Sequence, residues 1–232
     1  CSPNNPTGHV YTEEELLALL EMCKRHDIFL VVDEVYREFC YDGKKFTSIL
    51  SFPEYADRVI CIDSFSKRFS MCGARIGAIV TKNREFMENC LKMAQARLCS
   101  PAVEEVAAEA ALKAPQSYID STVAQYEKRR NLLVNAMQKI EGVRVNMPKG
   151  AFYFVADLPV DDAEKFAIWM LNDFSYKGAT VMFAPAEGFY WTEGYGKCQA
   201  RFAYVLNEDE LSLAAECLRA GLKTYRKAVM HV

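Results

Sequence analysis

The run "SFSKRFSMCGARIG" at positions 64–77 places Lys67 directly after Ser64 and Ser66, with Arg75 eight residues further on. A lysine at a strand end among small side chains loses solvation, and burial or a nearby cation lowers its pKa and makes the amine a nucleophile. An arginine beside serine hydroxyls fits a phosphate bidentately. Upstream, "VVDEVY" supplies Asp33, Glu34 and Tyr36. A buried carboxylate there can hold a ring nitrogen protonated. The turn "NNPTG" adds Asn5 and Thr7, Asp63 precedes the serines, and "QARFAYVL" adds Arg201.

Each of these residues also has a plainer role on its own. An S-x-S-K string is common by chance. "DEVY" reads as a strand end with solvated acids, Arg75 as a surface or salt-bridging residue, and Arg201 as an edge-strand charge. "NPTG" makes a good turn, because proline fixes φ and glycine allows a positive one. The functional reading rests on order and spacing.

The elements that must position these side chains are legible. Thr12 and Glu15 form a capping-box pattern before "LLALLEMCKRH", which predicts a helix from about Thr12 to His26. "IFLVVDEVY", "RVICIDSF" and "ARIGAIVT" read as buried parallel strands. In an open parallel sheet, ligands gather at the carboxyl ends of strands, where Asp33, Tyr36, Ser64, Ser66 and Lys67 fall, and Arg75 opens the third strand. Helical patterns fill 83–140, broken near "CSPA" and at Pro115, with 116–140 as one long helix. Short strands follow in "GVRVNMP", "GAFYFVADLP", "ATVMFAP" and "QARFAYVL". Helices at about 161–177 and 207–227 separate them, the last capped by Asn207 and Glu210. The expected organisation is an α/β layer over 1–115 and a smaller α+β layer over 116–232, beginning with the long linking helix.

Composition bounds the class. A chain with 51% hydrophobic and 25% charged residues is of ordinary globular type, long enough for one large or two modest domains. Net charge is −3 with no basic stripe, which argues against nucleic acid as a partner. No apolar run approaches a membrane span, and no metal-ligand spacing stands out. The nine cysteines are scattered without a C-x-x-C pair, as expected of reduced thiols in the cytoplasm.

An aldehyde for a lysine, a phosphate for an arginine and a pyridine nitrogen for an aspartate together describe pyridoxal phosphate. At this point the sequence resembles a family: the fold-type-I pyridoxal-phosphate enzymes of the class I/II aminotransferase group. The resemblance runs from "NNPTG" through "VVDEVY", "SFSKRFSMCGARIG" and "PKGAFYFVADLP" to "ARFAYV", and S-x-S-K with an arginine eight residues on is a specific signature.

The resemblance implies a role for each residue. Lys67 forms the internal Schiff base and shuttles the proton. Asp33 pairs with the pyridinium nitrogen. Asn5 and Tyr36 hydrogen-bond the ring's 3′ oxygen. Ser64, Ser66 and Arg75 hold the phosphate. Arg201 forms a fork-to-fork pair with the substrate α-carboxylate, and Asn5 also belongs to the substrate side. Gly73, Ala74 and Gly77 let the backbone approach the cofactor closely.

The implied fold is a truncated large-domain, parallel-rich sheet with helices, followed by the smaller C-terminal α+β domain. The implied function is amino-group transfer between an amino acid, with aspartate or an aromatic amino acid favoured, and a 2-oxo acid in a cytoplasmic homodimer. A C–S β-lyase or an aminotransferase-like sensor domain of a transcription regulator stays as an alternative. The chain opens at Cys1 in a turn-rich segment, so it is expected to lack the front of the family's site and to be inactive alone.

Overall fold

A computed structural model describes residues 1–228, which form seven helices and seven strands besides short 3₁₀ turns. Contacts divide them into two compact units. The first comprises Cys1–Asn4, His9–Val123 and Lys149–Ala151; the second comprises Asn5–Gly8, Ala124–Pro148 and Phe152–Val232. The division falls between Val123 and Ala124, inside α5 (Gln116–Met137), the linking helix that opens the expected second layer.

In the first unit, α1 (Glu13–Arg25) starts where the capping box dictates. The Glu15 amide donates to Thr12 Oγ1 at 3.2 Å, and the Thr12 amide donates to Glu15 Oε2 at 2.7 Å. Leu16 and Leu20 lie on its buried face and pack with Val32, Ile49, Phe52, Tyr55, Val59 and Cys61 in one cluster. That cluster backs a three-stranded sheet of β1 (Leu30–Asp33), β2 (Val59–Ser64) and β3 (Gly77–Val80), in the order β1-β2-β3.

The sheet corrects one expectation. β1 and β2 are parallel, but β3 runs antiparallel to β2, with Ser64 opposite Gly77 and Cys61 opposite Val80. Residues 65–76, which carry a short helix, α2 (Phe65–Arg68), and a 3₁₀ turn at Cys72–Ala74, turn the chain straight back, and the Phe65 amide donates to the Ile76 carbonyl at 3.2 Å to close that turn. The reversal matters for position, since it brings the start of β3 beside the end of β2. Gly77 fits here because a Cβ would lie 2.8 Å from the Asp63 carbonyl oxygen. Its smallness therefore serves the strand pairing, and Gly73 has open space around it. Helices α3 (Arg84–Ala96) and α4 (Ala102–Ala111) follow.

Two neighbouring acids in "VVDEVY" part company. Glu34 is fully buried, accepts from the Ser48 hydroxyl at 2.8 and 2.9 Å and accepts from the Ile49 amide at 2.7 Å. It is a structural anchor for the turn at Ile49–Ser51. Glu34→Ala leaves a part-buried hydroxyl and a buried amide without this acceptor. The expected loss is about 3 kcal/mol of stability, read from denaturant unfolding.

In the second unit, β4 (Arg144–Val145), β5 (Tyr153–Asp157), β6 (Ala184–Pro185) and β7 (Gln199–Ala203) form an antiparallel sheet in the order β4-β5-β7-β6. The residues of "ATVMFAP" pair over only Ala184–Pro185, and a proline suits that edge position. Arg201 sits on β7, an interior strand, not on an edge. Strand alternation buries Phe154, Ala156, Ala200 and Phe202 on one face. Phe166 of α6 (Ala163–Asn172), Phe183 and Tyr225 of α7 (Glu208–Ala228) stack against that core.

All nine cysteines are free. Burial, with Glu34 nearby, pushes the Cys61 thiol up to about 12, so it serves as a small core hydrophobe rather than a nucleophile. Among the described residues, no helix is long and apolar enough to cross a membrane, and no cluster of His, Cys, Asp and Glu could hold a metal ion.

Candidate active site

On the first unit, the carboxyl ends of two parallel strands and the amino end of their antiparallel neighbour bring six of the expected residues to one edge. Asp33 ends β1, half-buried, with the Val35 amide donating to its Oδ1 at 3.0 Å. Tyr36 follows within the next turn and is buried. Ser64 ends β2 and caps α2: the Ser66 amide donates to Ser64 Oγ at 3.1 Å, and the two serine oxygens lie 2.8 Å apart. Ser64 also donates to the Ile76 carbonyl at 3.1 Å, which ties the cap to the segment entering β3.

Lys67 is the third residue of α2. Its Nζ lies 6.0 Å from the centre of the Tyr36 ring. Arg75 is exposed and left-handed, with φ 57°, and closes the preceding 3₁₀ turn by donating from Nη1 to the Cys72 carbonyl at 2.8 Å. Ser64, Ser66, Arg75 and Gly77 line one open cavity of about 330 Å³. Two hydroxyls and a guanidinium facing one space make a set of anion donors.

Sequence reasoning missed the charges that brace this turn. Asp63 binds the guanidinium of Arg68 and, at 3.2 Å, that of Arg37, while Glu38 reaches Arg37 at 3.5 Å and Arg68 at 3.6 Å. Arg68 is only 12% exposed and stands next to Lys67 in the chain, so the network fixes α2 against the end of β2. Its sequence signal is weak, since acids and arginines at these spacings are usually solvated.

On the second unit, Asn5 and Arg201 meet. Arg201 Nη1 donates to Asn5 Oδ1 at 3.0 Å. The guanidinium carbon lies 4.8 Å from the Tyr153 ring centre and 5.2 Å from that of Phe189. Thr7, also singled out, lines a separate polar recess of about 260 Å³ with Arg144, Asp157 and Gln199. The alternation of "AFYFVAD" places Tyr153 on the Arg201 face. Phe189 comes from an irregular turn, and nothing in the sequence marks it.

A lysine on a turn after a sheet strand, with a carboxylate ending the adjoining strand, is compatible with an α/β enzyme of the fold-type-I class. Comparison with known proteins makes the assignment sharper. The model of the aminotransferase class I and II family matches residues 1–178. The aspartate aminotransferase of Musicola paradisiaca is 34% identical over 174 residues, covering 73% of this chain and 43% of its own. The bifunctional aspartate aminotransferase and glutamate/aspartate-prephenate aminotransferase of Petunia hybrida is 32% identical, covering 99% of this chain and 49% of its own. The crystal structure of an aromatic aminotransferase from Pyrococcus horikoshii superposes with a TM-score of 0.85 at 28% identity, over 97% of this chain and 59% of that one. This chain belongs to the aminotransferase class I and II family. It spans about half the length of the curated relatives it matches.

Proposed function

We propose that the protein is a pyridoxal-phosphate-dependent aminotransferase that moves an amino group between an amino acid and a 2-oxo acid. The observation that carries this reading is the convergence of Ser64, Ser66 and Arg75 on one cavity, with Lys67 on the same turn and Asp33 at the end of the next strand. That donor set fits the cofactor: hydroxyls and a guanidinium for its phosphate, an amine for its aldehyde, a carboxylate for its ring nitrogen. When bound, pyridoxal phosphate supplies an aldehyde that exchanges amines and a protonated ring that withdraws the electron pair left at the substrate Cα.

The residues divide the remaining work. Lys67 holds the cofactor between turnovers and, once displaced by the substrate amine, takes the Cα proton on Nζ. Asp33 keeps the ring nitrogen protonated, its carboxylate oriented by the Val35 amide. Tyr36, buried on the first unit with Lys67 Nζ 6.0 Å from its ring centre, would hydrogen-bond the ring's 3′ oxygen. Arg201, aimed by Asn5, takes the α-carboxylate common to all amino-acid substrates. The names of the relatives favour aspartate as donor, and the family resemblance supports a cytoplasmic homodimer.

The two arginines provide the test. Arg75→Ala removes a charge-assisted phosphate contact, so the dissociation constant for pyridoxal phosphate rises about tenfold or more, corresponding to about 1.5–3 kcal/mol. Arg201→Ala leaves cofactor binding near its original value and raises KM for every amino acid. The opposite pattern would mean that the two roles are exchanged. Production of pyruvate and thiol from cystathionine without an oxo-acid acceptor would replace transfer by β-elimination.

A further inference from the structure

Arg201 is held by more than Asn5, and the additional support comes from a loop with no assigned role. Strands β5 and β7 pair with Asp157 opposite Gln199, Val155 opposite Arg201 and Tyr153 opposite Ala203. Alternation puts Tyr153, Asp157, Gln199 and Arg201 on one face of the sheet, away from the aromatic core. Tyr153 is the diagonal neighbour of Arg201, close enough for ring and guanidinium to touch. The second ring, Phe189, belongs to residues 186–198, the connection that leads into β7.

That connection is closed at its base and tethered in its middle. The Ala186 amide donates to the Gln199 carbonyl at 2.8 Å, and the Gln199 amide donates to the Gly196 carbonyl at 2.9 Å. Tyr190 donates its hydroxyl to Gln199 Oε1. Gln199 Nε2 donates in turn to Asp157 Oδ1 at 2.6 Å, and Asp157 Oδ2 lies 3.3 Å from Arg144 Nε. A row of polar groups thus crosses β7, β5 and β4 in register and ends on the tyrosine next to Phe189. The Tyr190 ring lies so close to Gly196 that a Cβ there would come within 2.4 Å of it, at a φ of +74°. Only glycine combines that backbone angle with that contact. Trp191, the next residue, is fully exposed, while the far end of the loop is held where the Lys197 and Cys198 carbonyls accept from the Ala163 and Leu158 amides at 2.8 Å.

We propose that Tyr190 is a positioning residue for substrate carboxylate binding: through Gln199 and Asp157 it fixes the 186–198 loop so that Phe189, with Tyr153, holds the Arg201 guanidinium in one orientation. The inference rests on the reading of Arg201 as the α-carboxylate group's partner. A guanidinium on a flexible stem loses rotamer freedom when it binds a carboxylate, and two rings against it remove part of that freedom beforehand. The tether acts on Arg201, so its effect is expected on the binding of the amino-acid carboxylate.

The experiment uses Tyr190→Phe, which keeps the ring against Gly196 and deletes only the hydroxyl, beside Phe189→Leu, Phe189→Tyr and Arg201→Ala in the intact protein. Tyr190→Phe and Phe189→Leu should each raise KM for every amino acid about three- to tenfold, the scale of a cation–π contact. The turnover number and the pyridoxal phosphate dissociation constant should stay within about twofold, while Phe189→Tyr, which restores a ring, should return KM to its original value. The second readout needs no turnover. This readout is made on the 232-residue chain itself, where Trp169→Phe leaves Trp191 as the one tryptophan. Its fluorescence anisotropy should show greater local motion in Tyr190→Phe than with Tyr190 intact. If Arg201→Ala raises KM but Tyr190→Phe and Phe189→Leu do not, the loop is idle and the proposal is wrong while the carboxylate reading stands. If Arg201→Ala leaves KM unchanged, the carboxylate reading falls, and the proposal falls with it.

Discussion

Lys67→Ala stops turnover altogether while the core of its unit stays folded. Lys67 is the third residue of the four-residue helix α2, half-buried and outside the cluster of Leu16, Leu20, Val32 and Val59 that stabilises the sheet. The caps and braces of that turn come from other groups, namely Ser64 with the Ser66 amide, and Asp63 with Arg68. Truncating Lys67 therefore removes an amine and little packing, so the unfolding midpoint should move by less than about 1 kcal/mol equivalent. The loss in rate is far larger, because the same amine is assigned to holding the cofactor and moving the Cα proton, and general acid–base transfer alone is worth about 10²–10⁴-fold. Borohydride treatment of the cofactor-loaded intact protein, followed by peptide mapping, should find the pyridoxyl label on Lys67. A label on another lysine would remove the centre of the functional reading.

Asp33→Ala has the second largest effect and a different signature. The carboxylate ends β1, and the Val35 amide fixes its orientation at 3.0 Å. Removing it leaves the proposed phosphate donors Ser64, Ser66 and Arg75 in place, so cofactor should still bind. Without the carboxylate proposed to hold the ring nitrogen protonated, the electron pair at Cα would lose its sink. The turnover number should fall by about 10²–10⁴-fold, matching the roughly 3–5 kcal/mol of breaking a buried charge pair. Asp33→Glu should recover part of the rate if the carboxylate can still reach the ring. An unchanged turnover number in Asp33→Ala would show that this group does not face the ring nitrogen. The contrast with Glu34→Ala sharpens the test. One acid of the adjacent pair is assigned to chemistry, and the other holds Ser48 and Ile49.

The amino-acid sequence by itself determined the local elements and the types of group available for chemistry. Thr12 with Glu15, and Asn207 with Glu210, set helix starts through side-chain caps that need only residues three apart. The strands ending at Asp33 and Ser64 were legible because short apolar runs bounded by polar turns have few alternatives. The spacing of Ser64, Ser66, Lys67 and Arg75 was legible because it is local.

What depends on pairing between distant segments was not legible. The direction of β3 is decided by the turn-back of residues 65–76, closed by the Phe65 amide on the Ile76 carbonyl, and by the fit of Gly77 against Asp63, and reading the strand as parallel mistook that direction. The family resemblance singled out Asp33, but the anchoring role of its neighbour Glu34 is visible only once Ser48 and Ile49 fold back over it. The rings around Arg201 come from a neighbouring strand and from a loop, and only the folded register of β5 and β7 brings them to the guanidinium. Caps and periodicity act over a few residues and can be read along the chain, whereas register, strand direction and burial are set by contacts between segments that only the tertiary fold makes neighbours.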